Sequence, residues 1–332
     1  MADLQTTYLG LELAHPIVPS ASPLSRNLDD VKRLEDAGAA AVVLYSLFEE
    51  QIAIETGEFS DLLQSGKLSP AEVSAYFPQR NDYPRDPEAY VEHLRKAKES
   101  LGIPVIASMN GTSKGGWLKY AEMISQAGAD GLELNVYFLP ASDTFMGMDI
   151  ENLYLDILRT VKKSVDIPIA VKLSPFFSAL PEFASRLVDA GADGLVLFNR
   201  FYQPDIDVKD RALLPTLTLS REEDILLPLR WTAILYGQID SSLALTTGVH
   251  SGQNALKAIM AGADVAQVCS VLLAKGIPYL KELLEDFKKE VEQQGVSSLS
   301  ELQGLMSLQE QVEPIAFERA GYIKLLQNYG RI

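Results

Sequence analysis

Short, almost uninterrupted apolar runs alternate along the chain with longer stretches in which apolar residues recur every three to four positions. Four of the runs open alike: DAGAAAVVLYS (Asp36–Ser46), QAGADGLELNV (Gln126–Val136), DAGADGLVLFN (Asp189–Asn199) and MAGADVAQVCS (Met260–Ser270). In each, the end of a helical pattern meets Ala-Gly-Ala and then a β-leaning segment. Glycine suits the position just past a helix, where a positive φ is often required and a Cβ costs energy. The runs have few alternating polar positions, as expected of parallel strands buried on both faces.

Two more strands open on a proline, GIPVIASM (Gly102–Met109) and DIPIAVKL (Asp166–Leu173), where the missing N–H falls outside the ladder. HPIVPSA (His15–Ala21) and SSLALTT (Ser241–Thr247) bring the predicted total to eight. Helical patterns fill the gaps, among them Leu28–Gly38, Pro87–Gly102, Pro181–Gly191 and Gly252–Gly262. Eight β–α units predict an α/β fold of the (β/α)₈ TIM-barrel type. An open doubly wound sheet would want a GxGxxG turn after its first strand, and PSASPLS is not one.

Two connections exceed a plain turn, Leu47 to Leu101 and Asn199 to Arg230. They read as long inserts after strands two and six, overhanging the face where barrels place their chemistry. The residues before His15 read as a capping hairpin under the barrel. With no Pro/Gly/Ser-rich linker in view, residues 1–332 read as one domain: a barrel over 14–275 and C-terminal helices over 276–332.

Strand C-termini face the mouth of such a barrel. They carry Ser20–Ser22, Tyr45–Ser46, Met109–Asn110, Asn135, Lys172, Asn199, Thr247–Gly248 and Cys269–Ser270. Asparagines and a lysine are costly there unless they bind something. Lys172, within the apolar run IAVKLSP, reads as a cation for a ligand that carries or develops negative charge. Such a pair at ~4 Å and an effective dielectric of about 20 is worth about 4 kcal/mol before desolvation. The bland alternative is a rim lysine reaching solvent. LTTGVHSGQNALKAI (Leu245–Ile259) couples a strand end, a small-residue turn and a helix start, which suits phosphate. A plain turn with an N-cap explains it equally well.

Composition narrows the classes. The chain has 29 basic and 45 acidic residues, a net charge of −16 and a pI near 4.7. Nucleic acid and anionic membranes are therefore poor partners. One cysteine, Cys269, excludes disulfide frameworks, CxxC redox pairs and a self-contained iron–sulfur cluster, and three scattered histidines make no metal site. Cys269 has no histidine spaced to activate it. Trp117, Trp231 and His93 read as packing residues. MADLQTTYLG has neither a basic flank nor an apolar core, so a cytoplasmic location is expected.

The stretches GLELN, IPIAVKLSPFF, LSREEDILLPLRW and TTGVHSGQNALKAIMAGADVAQVCSVL resemble the FMN-dependent dihydroorotate dehydrogenases, nearest to the soluble class 1 form. The last is similar to the family's phosphate segment GGIxSGxDAxxxxxxGAxxVQVGTAL. The resemblance runs from HPIVPSASP to AFERAGYIKLLQNYG. It implies FMN, with Asn135 beside the ring and Lys172 at the N1–C2=O edge, where negative charge gathers on reduction. It further implies phosphate contacts from Thr247, Gly248, Cys269 and Ser270, flavin contacts from Ser20, Ala21 and Ser46, and substrate contacts from Tyr45, Asn81 and Asn199.

The departures from the family are specific. Where relatives have ELNxSCPN or ELNxSSPN, this chain has ELNVYFLP, so the position of the catalytic base is Phe138 and that of a substrate asparagine is Pro140. Phenylalanine cannot accept a proton. Tyr137, Ser142 and Asp143 are the replacements within reach in sequence. Tyr45 stands where the family has a lysine, and Thr247 and Cys269 where it has glycines.

The resemblance implies oxidation of dihydroorotate to orotate in pyrimidine biosynthesis, with a separate electron acceptor. NAD coupling would need a partner subunit with its own flavin and iron–sulfur cluster. The alternatives are a flavin enzyme acting on another cyclic amide or unsaturated acid, a non-catalytic flavin barrel, and a flavin-free sugar-phosphate isomerase. The first long insert offers a homodimer surface.

Overall fold

The computed structural model describes residues 2–49, 87–111, 117–201, 203–214, 216–310, 317 and 319–328. Asn81 lies outside the described residues, as does most of the first insert. Two short strands, β1 (Thr6–Tyr8) and β2 (Leu11–Leu13), pair antiparallel as a hairpin. Eight strands then form a parallel sheet: β3 (Ile17–Pro19), β4 (Val42–Phe48), β5 (Val105–Gly111), β6 (Gly131–Val136), β7 (Ile169–Leu173), β8 (Gly194–Leu197), β11 (Ser242–Thr246) and β12 (Val265–Val268). Their order, β3-β12-β11-β8-β7-β6-β5-β4, brings the first two strands to the sheet's two ends. There the Ala40 amide donates to the Ile17 carbonyl at 3.2 Å. The fold is a (β/α)₈ barrel, as the eight units predict.

The Ala-Gly-Ala repeat builds one local structure four times. Gly38, Gly128, Gly191 and Gly262 have φ of +96°, +89°, +105° and +114°, so each ends its helix in a conformation that side chains with a Cβ resist. Three repeats continue with aspartate, and each carboxylate accepts the amide of a neighbouring strand. Asp130 takes Val105, Asp193 takes Ile169 and Asp264 takes Leu243, all at 2.7 Å. Lys98 and Lys162 pair with the first two. Asp264 has Gln303 Nε2 instead, at 2.7 Å. Burial pushes its pKa up to about 6.

Side chains inside the barrel change character along its axis. Tyr8 and Leu9 of the hairpin plug the bottom, and the Leu9 side chain sits so close to Gly194 that a Cβ there would lie 2.6 Å from it. Val18, Val43, Ile106, Ala170, Val196, Ala244 and Val265 complete the apolar layers. Above them the same inward-facing rows turn polar. The larger core lies between the sheet and the surrounding helices.

Among the described residues, the helices before β12 are α1 (Leu28–Asp36), α2 (Pro87–Ser100), α3 (Trp117–Gln126), α4 (Gly147–Lys162), α5 (Leu180–Asp189), α6 (Leu226–Leu235) and α7 (Gly252–Ala261), and α1, α2, α5 and α7 start and stop near their predicted bounds. The second insert contains a hairpin of β9 (Asp205–Asp207) and β10 (Ala212–Leu214), then a 3₁₀ turn (Glu222–Ile225) leading into α6. After β12 come the short α8 (Ser270–Lys275), α9 (Tyr279–Gln294) and α10 (Arg319–Gln327).

Candidate active site

The upper interior of the barrel holds a closed ring of four polar side chains. Lys172 Nζ on β7 lies 3.1 Å from Glu133 Oε1 on β6 and donates to Ser20 Oγ at 3.3 Å. Gln267 on β12 donates to Glu133 Oε2 at 3.1 Å and accepts from Ser20 Oγ at 3.0 Å. Glu133 is 1% exposed and Lys172 7%. The four come from three strands and the end of a fourth, and only barrel closure makes them neighbours.

Beside the ring, Asn199 Nδ2 donates to Asn135 Oδ1 at 2.8 Å, joining the ends of β6 and β8. One cleft is lined by Ser20, Ala21, Lys172, Asn199, Thr247, Gly248, Cys269 and Ser270, together with Arg200, Ser220 and Gln267. Eight of the predicted site residues therefore share a surface, and Asn135 is bonded to one of them. Burial pushes the Cys269 thiol up, with Lys172 pulling it back, so it is no activated thiolate.

The turn after β11 is strained. Thr247 and Gly248 have φ of +81° and +78°. This is routine for glycine but costly for a β-branched residue. Thr247 Oγ1 donates to the Phe198 carbonyl at 3.2 Å, which offsets part of that cost. A Cβ at Gly248 would lie 2.3 Å from the Ile225 nitrogen, so only glycine lets the second insert settle against this turn. Ser220 does so by accepting from the Gly248 amide at 3.4 Å and donating its own amide to Ser270 Oγ at 3.1 Å. It also sits 3.2 Å from His250 Nε2.

Tyr45 does not join the cleft. The register of β4 against β5 shifts between Val43 and Ser46, a bulge that puts Val43 and Ser46 inward and turns Tyr45 outward. Its ring packs edge-on against Tyr90 at 5.0 Å and beside His93 of α2. The Tyr90 hydroxyl both accepts from the Ser108 amide (2.9 Å) and donates to its carbonyl (3.1 Å), satisfying the backbone where the ladder is broken. Ser46 lies inside the barrel against Ser108, Oγ to Oγ 2.8 Å.

The loop after β6 departs furthest from the sequence-based expectation. Ser142 and Asp143 are exposed, and the Ser142 hydroxyl is engaged with Thr144 of its own turn. Phe138 packs edge-on against Phe145 at 5.2 Å. Tyr137 stacks on Phe201 at 4.2 Å, one step beyond the Asn135–Asn199 pair, with Phe176 at the edge. The loop thus presents aromatic faces, and Leu139 and Met146 are more than 60% exposed.

With this geometry in view, comparison with known proteins decides the family. The family model for dihydroorotate dehydrogenase matches residues 86–291, well over half of the chain. This chain belongs to the dihydroorotate dehydrogenase family. A relative from Methanocaldococcus jannaschii, named dihydroorotate dehydrogenase B (NAD(+)), catalytic subunit, is 25% identical over 315 residues, covering 91% of this chain and 97% of its own. A relative of the same name from Methanothermobacter thermautotrophicus is 26% identical over 313 residues, 91% of this chain and 98% of that one. A third, from Pyrococcus furiosus, is 28% identical over 223 residues, 66% and 73% of the two chains.

Within a dihydroorotate dehydrogenase barrel, the cleft or ring residues that escaped the sequence reading include Glu133, Gln267, Ser220 and Arg200, with Phe198, Thr246 and Val249 also on the lining. Glu133 and Gln267 left a signal, each being the polar residue in an otherwise apolar run (GLELN and VAQV). Ser220 lies in LSREEDILLPLRW, a stretch that carries the resemblance, whereas Arg200 left no signal; the path of the second insert brings both in.

Proposed function

We infer that this chain is an FMN-dependent oxidoreductase acting on a CH–CH bond, oxidising dihydroorotate to orotate, within one barrel domain and its C-terminal helices. The observation that carries the reading is a single cleft that joins Lys172 and Asn199 at one side to the Thr247–Gly248 turn and Cys269–Ser270 at the other. The donor set suits FMN: an ammonium and paired amides for a ring with a carbonyl edge, and backbone turns with Arg200 for a phosphate. When bound, FMN supplies the hydride-accepting ring.

The chain's own residues do the rest. Lys172, held by Glu133 and Ser20, places positive charge where the ligand gathers negative charge. Asn135 and Asn199 orient amide and carbonyl groups of the flat partners. The aromatic layer of Tyr137 and Phe201 excludes water above them. A positioned base is typically worth 10²–10⁴-fold in rate, and Phe138 cannot serve as one. That residue favours a second reading, in which the flavin is kept and the substrate is another cyclic amide or unsaturated acid.

The electron acceptor is a separate molecule. A partner subunit is the natural source, since the lone Cys269 cannot hold an iron–sulfur cluster. No helix among the described residues is long and apolar enough to cross a membrane, and we place the protein in the cytoplasm.

The deciding experiment is anaerobic titration of FMN-loaded protein with dihydroorotate. Bleaching of the flavin at an enzymatic rate is expected. Flavin that binds but stays oxidised supports the second reading, and refusal to bind FMN ends both.

A further inference from the structure

Glu133 is the buried carboxylate that the proposed chemistry leaves unexplained. Inward-facing neighbours on the other strands, Val43, Ile106, Ala170 and Val196 among them, are apolar. Packing therefore does not call for an ion pair here. A buried ion pair is weak evidence for stability, because desolvation consumes most of the attraction. Glu133 nevertheless has both oxygens engaged, one by Lys172 and one by Gln267. Its charge also reaches the hairpin plug, where it adds to the burial that raises the Tyr8 hydroxyl.

The pairing fixes the lysine. Of the three ammonium hydrogens, one goes to Glu133 and one to Ser20. The bonds leave one donor for the cleft that Lys172 lines. The ammonium cannot swing away without breaking these two bonds.

The geometry points to Glu133 as a positioning residue that aims Lys172 into the cleft and offsets part of its charge, so setting how strongly the site favours negative charge on the flavin. This rests on the flavin reading above. A carboxylate that moderates the lysine lowers the potential of the bound flavin, and its removal raises it.

The test measures the midpoint potential of FMN bound to the wild type, Glu133→Gln, Glu133→Asp, Lys172→Gln and the Glu133→Gln/Lys172→Gln double variant, with FMN content determined for each. Glu133→Gln should shift the reduced-to-oxidised ratio at least tenfold toward reduced, about 30 mV for a two-electron couple. Glu133→Asp, which withdraws the charge by one methylene, should shift it about threefold in the same direction. With Lys172→Gln already present, Glu133→Gln should shift the ratio by less than threefold.

Equal shifts in both backgrounds, no shift, or a shift toward oxidised would overturn the proposal. Should Glu133→Gln fail to fold, Glu133→Asp carries the same sign test. Wild-type protein that takes up no FMN would sink the flavin reading instead. The pairing is then read from urea unfolding of the apoprotein, where purely additive effects of Glu133→Gln and Lys172→Gln would reject it.

Discussion

The two ends of the barrel treat polar residues in opposite ways. At the bottom, Asp130, Asp193 and Asp264 each clasp the amide of a neighbouring strand, and His15 Nδ1 accepts from the Ile17 amide at 3.2 Å. Each of the three aspartates ties one strand to the next. At the top, an ion pair is buried where apolar residues would pack, and Thr247 holds a backbone conformation that glycine would adopt without strain. Barrels keep stability at the bottom and chemistry at the top. The contrast gives that division a residue-level cause.

The largest expected effect lies at the top. Lys172→Met leaves Glu133 buried without its cation and should destabilise the apoprotein by about 3–5 kcal/mol. Adding Glu133→Gln should recover more than half of this in urea unfolding. A cost below 1 kcal/mol for the single variant would mean that the ring is solvated and the contrast with the bottom is false.

Next come two bottom residues that titrate in opposite senses. Burial lowers His15 from 6.5 to about 4 and raises Asp264 from 3.8 to about 6. His15 contributes stability that is fully present above pH 6.5 and lost as pH falls toward 4. Asp264 contributes stability that is present below pH 3.8 and lost as pH rises toward 6. Each term is about 3 kcal/mol, so between pH 4 and 6 they nearly cancel. The difference in unfolding free energy between the wild type and each variant separates them. His15→Gln should lose stability relative to the wild type as pH rises from 4 to 6, and Asp264→Asn should gain it. Parallel difference curves would show that one of the two groups is not buried as described.

The smallest effect is a gain. Thr247→Gly should stabilise the fold by about 1 kcal/mol, because strain removed outweighs one hydroxyl contact and the added flexibility of the unfolded chain. A thermal midpoint that falls instead would place the turn among optimised structural elements, and the top would then resemble the bottom.

Much of the architecture was legible in the sequence, for a physical reason. A glycine with positive φ past each helix and an apolar run behind it are local requirements, so the four Ala-Gly-Ala repeats announce their units directly. Lys172, Asn135 and Asn199 were legible for a related reason: a polar residue inside a buried strand stands out against its neighbours. Tyr45 misled, since alternation along a strand holds only until a bulge, and a bulge between Val43 and Ser46 depends on how β5 and Tyr90 receive it.

By itself, then, the sequence determined eight strand–helix units, their order and the few polar residues that their strands could carry. Only the tertiary structure decided which of those residues meet. Glu133 and Gln267 are 134 positions apart, and Lys172 and Ser20 are 152 apart. No local preference links such pairs. Closing the sheet into a barrel turns inward-facing rows from distant strands toward one another, and that closure makes four isolated polar residues into one ring.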